Sequence, residues 1–130
     1  MAQFEKLPLF FKKRQYIHNY YNEHLKGIPC VDLPPALPDY METSYYFYHI
    51  QITNGKRDVL AKYLRENGIY TTYRYYPLHR VPGFKVSGLF PGADYASDHT
   101  LCLPLHQGLT EDDLRFIVEK IREFMLGSIL

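Results

Sequence analysis

The sequence predicts an α/β protein of the α+β kind: a two-layer sandwich whose small, mainly antiparallel three-stranded sheet is covered on one face by helices, in the order α-β-α-β-β-α. Three observations predict it. Two tyrosine-rich runs, residues 45–53 and 69–76, have the composition and alternation of strands. A short apolar run follows at residues 100–105. Apolar residues at helical spacing precede, separate and follow these runs. At 130 residues the chain fits one domain, residues 1–130, long enough to bury a core without disulfide staples.

Taking the elements in order, Phe4, Leu7, Phe11, Ile17, Tyr21 and Leu25 recur near helical spacing over residues 3–26, with Lys12, Lys13, Glu23 and Lys26 on the polar side. Gly27 supplies a C-terminal cap, and Pro8 either opens this helix in its first turn or kinks it. Residues 28–43 carry four prolines and read as an extended connection over the surface. In the strand at 45–53, Tyr46, Tyr48, Ile50 and Ile52 form the more apolar face. Asn54-Gly55 then feeds a helix carrying Val59, Leu60, Tyr63 and Leu64, closed by Gly68.

The next strand puts Ile69, Thr71, Tyr73 and Tyr75 on one face and Tyr70, Thr72, Arg74 and Tyr76 on the other. Pro77 has no N–H to give a ladder, so pairing should end there. A long loop spans residues 77–99, with a short helix expected over G-A-D-Y-A-S-D-H. Pro104 assigns the run at 100–105 to a sheet edge or strand end. Thr110 and Asp113 form a capping box ahead of Leu114, Ile117, Val118, Ile121 and Phe124, which mark the last helix.

Fifteen basic and fourteen acidic residues leave a net charge of +1, which supplies no general attraction to nucleic acid. No apolar run approaches the roughly 18 residues of a membrane span, and the N-terminus lacks a secretory cleavage pattern, so a cytoplasmic chain is expected. Cys30 and Cys102 read as two reduced thiols. His99, Cys102 and His106 lack the paired spacing of a zinc site, and no metal is assigned to them. Glycine-rich phosphate loops and nucleophile signatures are absent, as is the glycine-and-aromatic motif of RNA-binding sheets. The thirteen tyrosines are the unusual count, and tyrosine suits surfaces that are half dry and half wet, such as clefts and interfaces.

The candidate site follows the second tyrosine run. His79 lies between two prolines on a connecting loop, where functional residues concentrate. Arg74, Arg80 and the neighbouring Tyr75 and Tyr76 suit a pocket for a phosphorylated or hydroxylated ligand, because arginine matches phosphate oxygens and tyrosine stacks or hydrogen-bonds. No catalytic group is assigned.

Three segments carry a resemblance: M-A-Q-F-E-K-L, then G-I-Y-T-T-Y-R-Y-Y-P-L-H-R-V-P-G-F, then L-C-L-P-L-H-Q-G-L-T-E-D-D-L. In order and spacing, from about Ala2 to Phe124, the chain resembles the C-terminal small domain of the DegT/DnrJ/StrS sugar aminotransferases. The resemblance implies the aspartate-aminotransferase type of fold and amination of keto-sugars attached to nucleotides. It also implies that His79 faces the bound sugar nucleotide or cofactor. Pyridoxal phosphate is implied for the full-length enzyme, held by a lysine in a large domain that this chain lacks. None of the eight lysines here lies in a segment like the family's cofactor lysine, so no cofactor is assigned to the chain itself. The expectation is a small-domain portion, inactive alone, that meets a nucleotide sugar only together with the large domain. The alternative is a stand-alone binding module of the same fold. A homodimer is compatible with both.

Overall fold

The computed structural model describes residues 2–84 and 86–127. Lys85, expected on the long loop, lies outside the described residues. The elements run α1 (Ala2–Glu5), α2 (Leu7–Leu25), β1 (Val31–Asp32), β2 (Tyr48–Ile52), α3 (Arg57–Glu66), a 3-10 turn (Leu78–Arg80), α4 (Pro91–His99), β3 (Thr100–Leu103) and α5 (Glu111–Gly127). The three strands form one antiparallel sheet in the order β1-β2-β3. Register pairs Val31 with Ile52, Tyr48 with Leu103 and Ile50 with Leu101.

That register aligns Tyr48, Ile50, Ile52, Leu101 and Leu103 on one face, where they are buried. Ile17, Tyr21 and Leu25 of α2, Leu60 and Leu64 of α3, and Leu114, Ile117, Val118 and Ile121 of α5 join them in a continuous core. Burying each such leucine or isoleucine contributes about 1.5–3 kcal/mol. The single polar atoms in this core are satisfied. Tyr21 donates to the Pro104 carbonyl at 2.8 Å and Tyr48 donates to Asn22 Oδ1 at 2.8 Å.

Pro8 sits in the first turn of α2, so the helix starts at the proline rather than kinking there. Gly27 and Gly68 follow α2 and α3 with φ near +79° and +78°, the left-handed conformation that a capping glycine takes at little cost. The capping box forms: Thr110 Oγ1 accepts from the Asp113 N–H at 3.2 Å, and Asp113 Oδ2 accepts from the Thr110 N–H at 2.8 Å. Among the described residues no helix is long and apolar enough to cross a membrane.

The sheet has the expected size and direction with a different membership. Val31–Asp32, inside the proline-rich connection, is its third strand, whereas the run at 69–76 makes one isolated bridge, Thr72 with Cys102. Two proton donors are missing for the ladder to continue. Antiparallel continuation from Thr72–Cys102 would next pair Tyr70 with Pro104 and Arg74 with Thr100. Pro104 has no N–H, and the Thr100 N–H is already given to the Ala96 carbonyl at the end of α4. The buried half of the alternation therefore survives only at the start: Ile69 and Thr71 are buried, while Tyr73 and Tyr75, expected on the same face, are exposed. The element order is accordingly α-α-β-β-α-α-β-α. The strand at 45–53 shortens to Tyr48–Ile52, leaving Tyr46 exposed.

Candidate functional site

Beside the Thr72–Cys102 bridge lies an open cavity of about 680 Å³. Its floor is the end of β3 and the turn beyond it, from Cys102 to His106 and Leu109, and its walls are Arg14 of α2, Tyr46, Tyr70 and Arg74, with Phe116 of α5. The volume is in the range of small-molecule sites. Tyr21, through its bond to the Pro104 carbonyl, ties this floor to the core.

Two guanidinium groups border the cavity. Arg74 donates from Nη1 to the Tyr46 hydroxyl at 3.2 Å, with its carbon 5.6 Å from the Tyr46 ring centre and 5.8 Å from that of Tyr75. Arg14 is less committed. Its Nε is buried with no hydrogen-bond partner among the described residues, and a buried unmet donor is a position where a ligand acceptor would be rewarded. The other ionisable groups at the wall are occupied. Asp113 serves as the α5 cap, which holds its carboxyl below the usual range, and burial pushes the Cys102 thiol up, away from the reactive thiolate.

The residues singled out from sequence divide into separate places. Arg74 lines the cavity. Tyr75 and Tyr76 follow it on the exposed surface. His79 and Arg80 occupy the 3-10 turn, outside the cavity lining, and are bound to α4. His79 Nε2 lies 2.8 Å from Asp94 Oδ1, and its ring stacks on Phe90 with centres 4.8 Å apart. Arg80 donates to Asp94 at 2.7 Å and to both oxygens of Asp98 at 2.9 and 3.2 Å. The bonds from His79 and Arg80 hold the Asp94 carboxyl below the usual carboxylate range, and Arg80 does the same for Asp98. His99 and His106 are bonded within their own segments, to the Tyr95 carbonyl at 2.8 Å and the Gly108 N–H at 3.2 Å.

Sequence reading missed Arg14, Tyr46 and Asp94. Arg14 and Tyr46 precede Arg74 by 60 and 28 residues in no periodic relation, so only the fold brings them to one wall. Asp94 had a weak signal, an acid in the first turn of a short helix directly after the loop.

The chain can be set beside known proteins. Residues 1–122 match the DegT/DnrJ/EryC1/StrS aminotransferase family. A Saccharopolyspora spinosa protein, dTDP-4-dehydro-2,3,6-trideoxy-D-glucose 4-aminotransferase, is 40% identical over 122 residues, covering 94% of this chain and 32% of its own. The crystal structure of the aminotransferase TlmJ from Streptoalloteichus hindustanus superposes with a TM-score of 0.93 at 37% identity, over 99% of this chain and 35% of that one. A Streptococcus pneumoniae sugar aminotransferase, Spr1654, known in PLP and PMP forms, shares the fold at a TM-score of 0.86 and 20% identity, over 99% of this chain and 34% of that one. This chain thus spans about a third of the length of the relatives it matches. With the match running through the tyrosine-rich segment, the 3-10 turn and the α5 cap, the chain belongs to the DegT/DnrJ/EryC1/StrS aminotransferase family.

Proposed function

We propose that this chain forms the substrate-facing wall of a nucleotide-sugar aminotransferase, an enzyme that places an amino group on a keto-sugar carried by a nucleotide. The observation that carries the reading is the cavity bordered by Arg74 and Arg14, with flat Tyr46 and Tyr70 beside them. Guanidinium groups suit the diphosphate of such a ligand, and the tyrosine rings suit its sugar or base. The name of the Saccharopolyspora spinosa relative, an aminotransferase of a dTDP-linked keto-sugar, supports the same class of substrate. In this reading Arg74 meets the substrate at the cavity wall, Tyr75, Tyr76 and His79 meet it beyond the cavity's edge, and Arg80 supports the loop.

Pyridoxal phosphate chemistry requires a lysine aimed into the site and an acid on the pyridine nitrogen. The described lysines do not fit that role. None lines the cavity, Lys120 is bonded to Glu123 at 2.7 Å, and Lys13 lies 5.6 Å over the Tyr16 ring. In this reading the cofactor's chemistry is supplied by the large domain of the family's enzymes, and these 130 residues are expected to be inactive alone.

Two experiments test this. The chain alone, mixed with pyridoxal phosphate and treated with borohydride, should retain no specific lysine adduct; a stoichiometric adduct would refute the division of labour. In a chimera carrying this chain in place of the matching third of the Saccharopolyspora spinosa enzyme, Arg74→Ala should raise the KM for the dTDP-keto-sugar about tenfold or more, the loss of one charge-assisted contact. An active chimera indifferent to Arg74→Ala and His79→Ala would refute the substrate-facing wall.

A further inference from the structure

We propose that Asp94 is a positioning residue for His79: it grips the ring at Nε2, keeps a proton on that nitrogen, and leaves Nδ1 as the atom that His79 turns toward substrate. The inference rests on the reading that the 3-10 turn faces the substrate and gives that turn a defined chemistry.

Asp94 lies on α4 while His79 lies on the turn before it, so the contact is tertiary and fixes one element against the other. A carboxylate only accepts hydrogen bonds, so the hydrogen in the 2.8 Å contact to Oδ1 must sit on His79 Nε2. The proton's place is thereby set by the partner, as a second carboxylate or carbonyl sets it in other histidine sites. Stacking on Phe90 fixes the plane of the same ring, and only 17% of the His79 side chain remains exposed. His79 Nδ1 has no hydrogen-bond partner among the described residues.

Arg80 completes the clasp. It shares Asp94 Oδ1 at 2.7 Å and spans both oxygens of Asp98, one helical turn further along α4. Three guanidinium nitrogens are thus spent inside the protein. Arg80 locks the turn to α4, and the backbone of the turn closes through the Arg80 N–H to the Pro77 carbonyl at 3.0 Å. The pair His79-Arg80 therefore divides its work: one residue presents a ring nitrogen and the other holds the presenter.

The test is ring-nitrogen NMR of the 130-residue chain, with correlations through the imidazole carbons. The expected spectrum, recorded at a pH where the ring is neutral, shows an exchange-protected proton on His79 Nε2 and none on Nδ1. Asp94→Ala should remove that protection, while Asp98→Ala, whose carboxylate is bonded to Arg80 and not to His79, should keep it. A neutral ring carrying its proton on Nδ1 in the parent chain, or protection unchanged by Asp94→Ala, overturns the proposal; the parent spectrum decides even if a variant fails to fold. The substrate reading fails separately. In the chimera, Asn at position 79 sets an amide near Nδ1 and Gln sets one near Nε2, so His79→Asn should retain kcat/KM better than His79→Gln. The reverse order overturns the role of Nδ1, and parent-like kinetics in both variants overturn the substrate-facing reading while the spectrum still judges the clasp.

Discussion

Removing one oxygen from the core should loosen the floor of the cavity. Tyr21 is fully buried on α2, and its hydroxyl donates to the Pro104 carbonyl 2.8 Å away, on the turn that carries Leu105 and His106 into the cavity. Burial pushes the phenol well above its ordinary range, so it remains a donor at every ordinary pH. Tyr21→Phe keeps the ring packed 4.9 Å from Tyr48 and opens almost no volume. The change costs the net worth of a hydrogen bond, about 0.5–1.5 kcal/mol, plus part of the penalty of about 1–3 kcal/mol for leaving a half-buried backbone carbonyl without this donor. We expect a loss of about 1.5 kcal/mol. Tyr48→Phe is the internal control, because its acceptor is the Asn22 side chain, which can rotate to solvent. Urea unfolding should then show both midpoints lowered with m unchanged, Tyr21→Phe by more than Tyr48→Phe. Equal losses, or a Tyr21→Phe loss below about 0.3 kcal/mol, would refute the idea that this bond anchors the turn.

Two further outcomes follow from charge and from capping. Burial holds the His18 and His49 rings below their ordinary pKa, with His49 adding to the lowering at His18, so the unfolded chain takes up protons first as pH falls. The stability they permit is complete above about pH 6.5 and is lost progressively below it. Thermal melts should therefore fall between pH 7.5 and 5.5, and a flat profile would contradict this. Asp94, Asp98 and Asp113 are lowered carboxyls, so what they contribute is held above about pH 3.9 and is lost only in stronger acid. Thr110→Ala should cost about 1 kcal/mol by removing the acceptor of the Asp113 N–H, read as a lower melting temperature with unchanged core packing in the amide spectrum.

What was legible in the sequence was whatever depends on neighbours a few residues away. The helix at Glu111–Gly127, its cap, the glycine stops and the buried face of Tyr48, Ile50 and Ile52 are all short-range patterns, and all are present in the fold. The tyrosine run at 69–76 had the same short-range credentials and still forms no ladder. Whether a strand pairs depends on the donors its neighbour has left, and those are set by Pro104 and by the end of α4, some thirty residues away. The same dependence governs the candidate site. Arg74 and His79 are five residues apart and looked like one cluster, yet the freed segment carries Arg74 to the cavity wall while the turn hands His79 and Arg80 to α4. An unpaired strand end is thus what allows one short stretch to serve two places: Arg74 keeps the face that Tyr70 and Thr72 turn to the cavity, while the chain beyond it is free to fold into the turn that binds α4.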